Sequence, residues 1–492
     1  MPVTLSLANL KDAAASAAVP AYDPATLRAG IVHFGVGNFH RAHQAVYLDD
    51  LFNLGLDTDF AIVGAGVLPS DAVMREKLAA QDFLTTVVEQ EAGRSAARIT
   101  APMIDFLAPG DAAATIARLA DPAIRIVSLT ITEGGYFIDP ATGAFDPSHP
   151  AIAADAAAPG NPKTVFGLIL AGLSARRAAG TPAFTVMSCD NIPGNGEVTR
   201  SAVAGLADLV DADLARFVRE EVAFPNGMVD RITPATGDRE RAILAEDFGI
   251  EDTWPVFCED YRQWVLEDHF PLGRPALEKV GVTFVDDVAP FEHMKIRILN
   301  GGHAAIAYPA ALMDIHFVHE AMENPLIRAF LKKLETEEII PVIPPVPGVE
   351  LADYYELIER RFSNPKIGDT IARLCLDGSN RQPKFILPST RDRLKRGESV
   401  TGLTLVSALW CRYCERVSDS GRAIPPNDAS SDRLNAAALA ARQDPKAFLA
   451  LTDIFGDLGA DAVFVAGFSR ALASLHADGA EATLTRYLAG AL

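Results

Sequence analysis

The chain has 492 residues, 49% hydrophobic and 22% charged, with 44 Lys plus Arg against 64 Asp plus Glu and a formal charge of −20. That balance predicts a globular protein of two or three domains and excludes nucleic acid and anionic membrane surfaces as partners, because both are held by clustered basic residues and no run of five exists. Scattered cysteines at 189, 258, 375, 411 and 414 fit reduced thiols, the interrupted stretch Leu5 to Tyr22 lacks the pattern of an export signal, and Val165 to Leu173 and Ala304 to Met313 are too short to span a membrane, so a soluble cytoplasmic protein is expected.

In chain order, the apolar run Gly30 to Gly35 is followed by a predicted helix through Leu51 and a second apolar run, Phe60 to Gly64. Strand, helix, strand is the βαβ pattern, and it recurs. Ile124 to Ile131 precedes Thr132-Glu133-Gly134-Gly135, an apolar helix spans Val165 to Ala179 and stops at Gly180, and Ala183 to Cys189 leads into Asp190-Asn191. These units predict an α/β fold whose N-terminal domain, residues 1–285, is an open, mainly parallel sheet with helices on its faces. The part from about Phe224 to Val285 reads equally as mixed sheet or as loop. From about Phe291 helical patterns dominate, among them Leu326 to Leu334, Leu351 to Arg361, Thr401 to Val417 and Ala462 to Ala473, broken by the proline-rich connector Ile340 to Gly348. Residues 286–492 are therefore expected to form a mostly α-helical C-terminal domain.

Gly35-Val36-Gly37-Asn38-Phe39-His40 follows a strand and opens a helix, the context in which glycines let the backbone approach a pyrophosphate. His40 stands where the usual fingerprint has its third glycine, so the motif alone reads equally as a tight βα turn. An acid beyond the second strand is expected to hold ribose hydroxyls. Asp71 is the better placed candidate, because Asp57 and Asp59 precede that strand; Asp71 reads equally as the N-cap of the next helix. No Arg or Lys lies between Gly64 and Asp71 to receive a 2′-phosphate, which favours NAD over NADP.

Phe291 to His303 is the stretch richest in chemistry. On a helix at about 100° per residue, Glu292, Lys295, Asn300 and His303 share one broad face with Ile296 and Leu299. A lysine in such surroundings loses affinity for its proton, as a general base requires. The competing reading is a solvated face with Lys295 paired to Glu292. Gly301 and Gly302 inside a helix suggest close approach of backbone or ligand. Asn191 ends a strand, where open sheets place binding groups, and Asp230 with Arg231 is either a structural ion pair or a substrate contact. No metal is expected. Cys411 and Cys414 sit in an apolar helix without a second ligand pair, and His33, His40 and His43 match no metal spacing.

Five segments in this order, His33 to Gln44, Ser128 to Tyr136, Ser188 to Asn191, Met228 to Pro234 and Met294 to His303, resemble the polyol-specific long-chain dehydrogenases over nearly the whole chain. The resemblance implies a metal-independent, monomeric NAD enzyme, with a Rossmann-type N-terminal domain and a mainly α-helical C-terminal domain, that interconverts D-mannitol and D-fructose. It implies Lys295 as general base, Asn191 and Asn300 as holders of the alkoxide, and His303, Asp230, Arg373 and Arg381 as substrate contacts. Cofactor contacts are implied at Phe34, Gly35, Gly37, Asn38, Phe39, Asp71, Thr132 and Glu133. Two departures stand out: Ser70 replaces a second acid beside Asp71, and Arg381 replaces an expected lysine. Oxidation of D-arabinitol or sorbitol and reduction of fructuronate are alternatives within the family. A non-catalytic NAD-binding regulator is the alternative outside it, although no basic patch or helix-turn-helix candidate is present.

Overall fold

A computed structural model of the protein describes residues 2–139 and 143–492. The chain divides into two compact units, 1–289 and 290–492.

In the first unit, strands β1 (Ala29–Phe34), β2 (Ala61–Ala65), β3 (Met103–Phe106), β4 (Ile126–Leu129) and β5 (Thr185–Ser188) form one sheet in the order β3-β2-β1-β4-β5, all parallel. This is the Rossmann order, with its switch point between β1 and β4. The predicted helix after the glycine turn is two helices, α1 (Asn38–Ala42) and α2 (Gln44–Asn53), broken at His43, whose backbone (φ −118°, ψ −88°) is not helical. The His43 Nε2 lies 2.9 Å from the Gln263 carbonyl. Helix α3 (Pro69–Ala79) follows β2.

Alternate side chains of the strands serve opposite faces of the sheet. Val32, Val63 and Val127 lie in register and pack with helices α4 (Ala112–Ala120) and α5 (Val165–Ala179). Ile31, Ile62 and Ile126 face the other way, toward Tyr47, Leu48 and Leu51 of α2. Helix α5 has the predicted bounds for local reasons. Thr164 Oγ1 caps its start by accepting from Gly167 N at 3.0 Å, and Gly180 ends it at φ 67°, where a side chain would be strained. Residues 224–285 resolve as mixed sheet together with a helix, Asp238–Phe248, that the sequence reading did not anticipate. Gly227–Asp230 pairs antiparallel with Gln263–Glu267, which pairs parallel with Thr283–Val285, while Val256–Glu259 joins the Thr85–Gln90 and Ser95–Thr100 hairpin.

The second unit is helical, with no strand among its described residues. Its main helices are α6 (Ala289–Met294), α7 (Gly301–Leu312), α8 (Pro325–Leu334), α9 (Leu351–Phe362), α10 (Thr401–Tyr413) and α11 (Ala462–Leu488). Helix α10 ends short of the predicted Val417, and Arg416 just beyond it takes a positive φ of 62°. Helix α11 runs past the predicted Ala473 and kinks at Gly479 (φ 80°). Three segments wind as π-helix: Lys295–Asn300, Glu335–Ile339 and Gln382–Ile386. The first packs against both of the others. Among the described residues no single helix is long and apolar enough to cross a membrane.

Candidate active site

The end of β1 is built to hold a bare backbone. Gly35 has φ +91°, and a Cβ there would stand 2.0 Å from the Thr130 carbonyl, so only glycine fits. Beneath the turn, His33 Nδ1 lies 2.8 Å from Ser128 Oγ and Nε2 lies 2.9 Å from Thr130 Oγ1, and Thr130 Oγ1 donates to the Gly35 carbonyl at 2.6 Å. His40, at the missing third glycine, is turned inward and stacks on His33 with ring centroids 3.5 Å apart. It replaces close backbone packing with ring packing and leaves the turn itself clear. Burial pushes His33 down to about 3 and His40 well below the usual range, so both rings are neutral.

The other expected cofactor residues divide. Gly37 is open, since a Cβ there would have only the Gly35 carbonyl within 4 Å, at 3.9 Å, and Phe39 stacks on His43 at 4.9 Å. Phe34 is wholly buried in the core and its carbonyl accepts from Thr130 N at 2.9 Å, so it offers a ligand position rather than contact. The Asn38 side chain is occupied by the frame: Oδ1 accepts from Arg41 at 2.8 Å and Trp254 Nε1 at 3.3 Å, and Nδ2 donates to the Pro234 carbonyl at 3.3 Å. Asp71 sits at the third position of helix α3 rather than at its N-cap, and its Oδ2 accepts from both Val67 N (2.9 Å) and Leu68 N (2.8 Å). The N-cap reading is thus corrected: Leu68 is the N-cap, and Asp71 caps its amide from within the first turn.

At the ends of β4 and β5 a residue that sequence reasoning passed over holds the frame. Asp190 Oδ1 accepts from Thr132 N at 2.9 Å, and Oδ2 accepts from Ile131 N at 2.9 Å and Tyr136 Oη at 2.7 Å. Thr132 has φ 62° and ψ 165°, a conformation that costs a β-branched residue about 1–3 kcal/mol and persists only under such restraint. Glu133 follows it, exposed, and Asn191 adjoins Asp190, also exposed. Asn195, fully buried, donates to the Asp190 and Gly227 carbonyls (3.1 and 2.8 Å) and accepts from Gly227 N (2.9 Å). It thereby ties this corner to the strand that ends in buried Asp230. Arg231 is structural: it pairs with Glu89 Oε1 at 2.6 Å and donates to the Ala42 and Glu259 carbonyls.

In the second unit, Lys295 and Asn300 are the first and last residues of a π-helical segment. An α-helix would separate them by about 140°. Here i→i+5 bonding brings residues five apart onto one side, so the predicted face is tighter than an α-helical wheel makes it. Lys295 is 7% exposed and His303 6%. Asn300 Oδ1 and His303 Nε2 are buried and make no hydrogen bond among the described residues. His303 stacks on Phe362 at 3.9 Å. Burial first, then the charges of Arg373, Arg381 and Arg361, hold its imidazole well below the usual range, hence neutral. Gly301 and Gly302 serve packing. A Cβ on Gly302 would lie 3.2 Å from Glu335 Oε1 and 3.4 Å from Phe362, and one on Gly301 would lie 3.4 Å from the Phe385 carbonyl.

Arg373 is exposed and ion-paired with Asp369. Arg381 is half-buried, donates to the Leu374 carbonyl at 2.7 Å, and is lowered from its ordinary range by burial. All five cysteines are buried and unpaired, consistent with Cys411 and Cys414 as packing residues. Among the described residues no group of three or more His, Cys, Asp or Glu is placed to hold a metal.

Residues 29–279 match the family model described as the mannitol dehydrogenase Rossmann domain, and 287–476 match the mannitol dehydrogenase C-terminal domain. The chain is 62% identical over 471 residues to mannitol 2-dehydrogenase of Cereibacter sphaeroides, covering 96% of this chain and 98% of that protein. It is 42% identical to mannitol 2-dehydrogenase of Neosartorya fischeri, covering 99% of each. Among solved structures it is similar to the Pseudomonas fluorescens mannitol 2-dehydrogenase ternary complex with NAD and D-mannitol (TM-score 0.88, 44% identity, 99% of each chain). It is similar also to a substrate-free D-sorbitol dehydrogenase (TM-score 0.91, 36% identity, 98% of this chain and 100% of that one).

Proposed function

Because the chain belongs to the mannitol dehydrogenase family, we propose that this polyol dehydrogenase interconverts D-mannitol and D-fructose with NAD, using Lys295 as general base in place of a metal-activated group. The observation that carries the chemistry is the π-helical segment that sets buried Lys295 and Asn300 on one side, followed by His303 with its Nε2 making no hydrogen bond among the described residues.

Lys295 takes the proton of the hydroxyl being oxidised. Negative charge then grows on that oxygen, and the Nδ2 donors of Asn191 and Asn300 are the groups assigned to it, an interaction that strengthens as the charge develops and so favours the transition state over bound substrate. Asn300 Oδ1 and the neutral His303 ring present acceptor and donor capacity for other polyol hydroxyls. Asp230, Arg373 and Arg381 are assigned to the rest of the sugar. In reverse, protonated Lys295 delivers its proton to the ketose oxygen as it is reduced.

NAD, when bound, accepts the hydride from the carbinol carbon. The residues present fit it. Gly35 and Gly37 leave the backbone bare at the switch point of the sheet, and inward-turned His40 does not obstruct that turn. Asn38 and Phe34 contribute through backbone position, Phe39 through its half-exposed ring, Thr132 and Glu133 from the loop after β4, and Asp71 through Oδ1. The reduced cysteines fit a cytoplasmic protein.

The likeness to a D-sorbitol dehydrogenase favours sorbitol as the second polyol to test. Purified protein assayed with mannitol, sorbitol, arabinitol, fructose and fructuronate, each with NAD(H) and NADP(H), is expected to give its highest kcat/KM with mannitol and NAD. Preference for sorbitol would shift the assignment within the family. Tight NADH binding without turnover of any of these would favour a regulator.

A further inference from the structure

We propose that Asp190 is a positioning residue for the reaction, fixing the loop that carries Thr132 and Glu133 and the adjoining Asn191 as one rigid corner. The proposal rests on the reading that Asn191, Thr132 and Glu133 belong to the reaction centre, and adds a residue to it whose own polar atoms are all engaged by protein.

Asp190 is 8% exposed. Its carboxylate accepts from Ile131 N, Thr132 N and Tyr136 Oη, its N donates to Ser188 Oγ at 3.2 Å, and its carbonyl accepts from Ile192 N at 2.9 Å and Asn195 Nδ2 at 3.1 Å. Two successive amides directed at one carboxylate impose the positive φ of Thr132; without the carboxylate that peptide has no reason to stay in a region β-branched residues avoid. Tyr136, four residues on, closes the loop from its far end and also pairs with Ser188 Oγ at 2.6 Å, the last residue of β5. One side chain thus joins the loop after β4 to the end of β5, and Asn195 extends the same frame to the strand of Asp230.

Asn191 is covalently the next residue, so a rotation of the Asp190 backbone moves it directly. Burial raises the Asp190 carboxyl while the three donors oppose that rise. The arrangement is confined to one corner of the sheet, so it positions the site without being the fold's main support. That separation is what an experiment can read.

The test uses Asp190→Asn, which keeps size but replaces an acceptor with an NH2 group, and Tyr136→Phe, which removes a single hydroxyl. Fold is checked by near-UV circular dichroism, and kcat and KM are measured for mannitol and NAD. Folded Asp190→Asn is expected to lose kcat on the order of a hundredfold with KM for mannitol little changed, because misplacement of transition-state groups acts on kcat. Tyr136→Phe is expected to lose about fivefold. Folded Asp190→Asn with wild-type kcat would overturn the proposal. If that variant does not fold, Tyr136→Phe with wild-type kcat overturns it. Asn191→Leu separates this from the underlying reading: full activity there removes the reaction-centre assignment itself, whereas an inactive Asn191→Leu beside a fully active Asp190→Asn removes only the role of Asp190.

Discussion

The strand ends of the first unit and the Lys295 to His303 segment of the second handle buried polarity in opposite ways. At the strand ends the groups that frame the turn have partners: His33 with Ser128 and Thr130, Asn38 with Arg41, Trp254 and Pro234, Asp190 with three donors. Exceptions there are the His40 ring, which is stacked on His33 instead, Arg41 Nε and His43 Nδ1. Along the helical segment, Asn300 Oδ1, His303 Nε2 and both oxygens of the neighbouring Glu335 are buried and make no hydrogen bond among the described residues. A buried polar atom left unpaired costs about 1–3 kcal/mol. A saturated frame suits a region that grips through its backbone, whereas unpaired atoms suit one that must exchange contacts with a changing substrate.

Substitutions can break this contrast. The largest effect after loss of the base is expected at Asn300. Because its Oδ1 makes no hydrogen bond among the described residues, Asn300→Ala should leave thermal stability nearly intact while lowering kcat by about 10²–10³, the cost of one donor to a developing oxyanion. A large fall in melting temperature with unchanged kcat would place Asn300 in the saturated class instead. Next comes the bridge beneath the glycine turn. Thr130→Val removes the hydroxyl between His33 and the Gly35 carbonyl, and should raise KM for NAD about tenfold with kcat near wild type, while Thr130→Ser should restore it. Equal KM values for the three proteins would show that the turn holds its shape unaided.

The smallest effect sharpens the contrast through pH. Burial alone holds the Glu335 carboxyl well above its ordinary range, so folding is opposed once the unfolded chain ionises, above about pH 4. That destabilisation grows as pH rises toward the folded-state value and is absent in acid. Glu335→Gln mimics the protonated form and should therefore be more stable than wild type by about 1–2 kcal/mol in denaturant titrations at pH 8, with the difference vanishing near pH 4. A pH-independent difference would mean that folding leaves the Glu335 carboxyl unshifted, and a wild type more stable than Glu335→Gln at pH 8 would mean that Glu335 is ionised and paired.

Much of this was legible in the sequence because it is local. Four of the five parallel strands follow from apolar runs, Met103–Phe106 being the one that gave no such signal, α5 from its apolar run and terminal Gly180, and the glycine turn from its place between strand and helix. Lys295, Asn300 and His303 stood out by spacing, yet the wheel that grouped them assumed an α-helix. Just after the π-helical turn, Gly301 and Gly302 let the Phe385 carbonyl, Phe362 and Glu335 come close, contacts with no periodic signature. Asp190 was hidden for a related reason: its backbone donors lie 58 and 59 residues away. A carboxylate beside Asn191 at a strand end was visible, but nothing local said which amides it would face. Asp71 and Asn38 show the reverse case, where a polar residue in the right place for a ligand is partly or wholly engaged by its own frame.

The central claim, that Lys295 is the base in an NAD-dependent oxidation of mannitol, is tested most directly by the pre-steady-state rate of NADH formation in Lys295→Ala against wild type across pH. A correctly folded variant that still binds NADH is expected to show a fall of about 10²–10⁴, together with partial recovery on adding a small primary amine. Wild-type rates in the folded variant, with an unaltered pH profile, would contradict it.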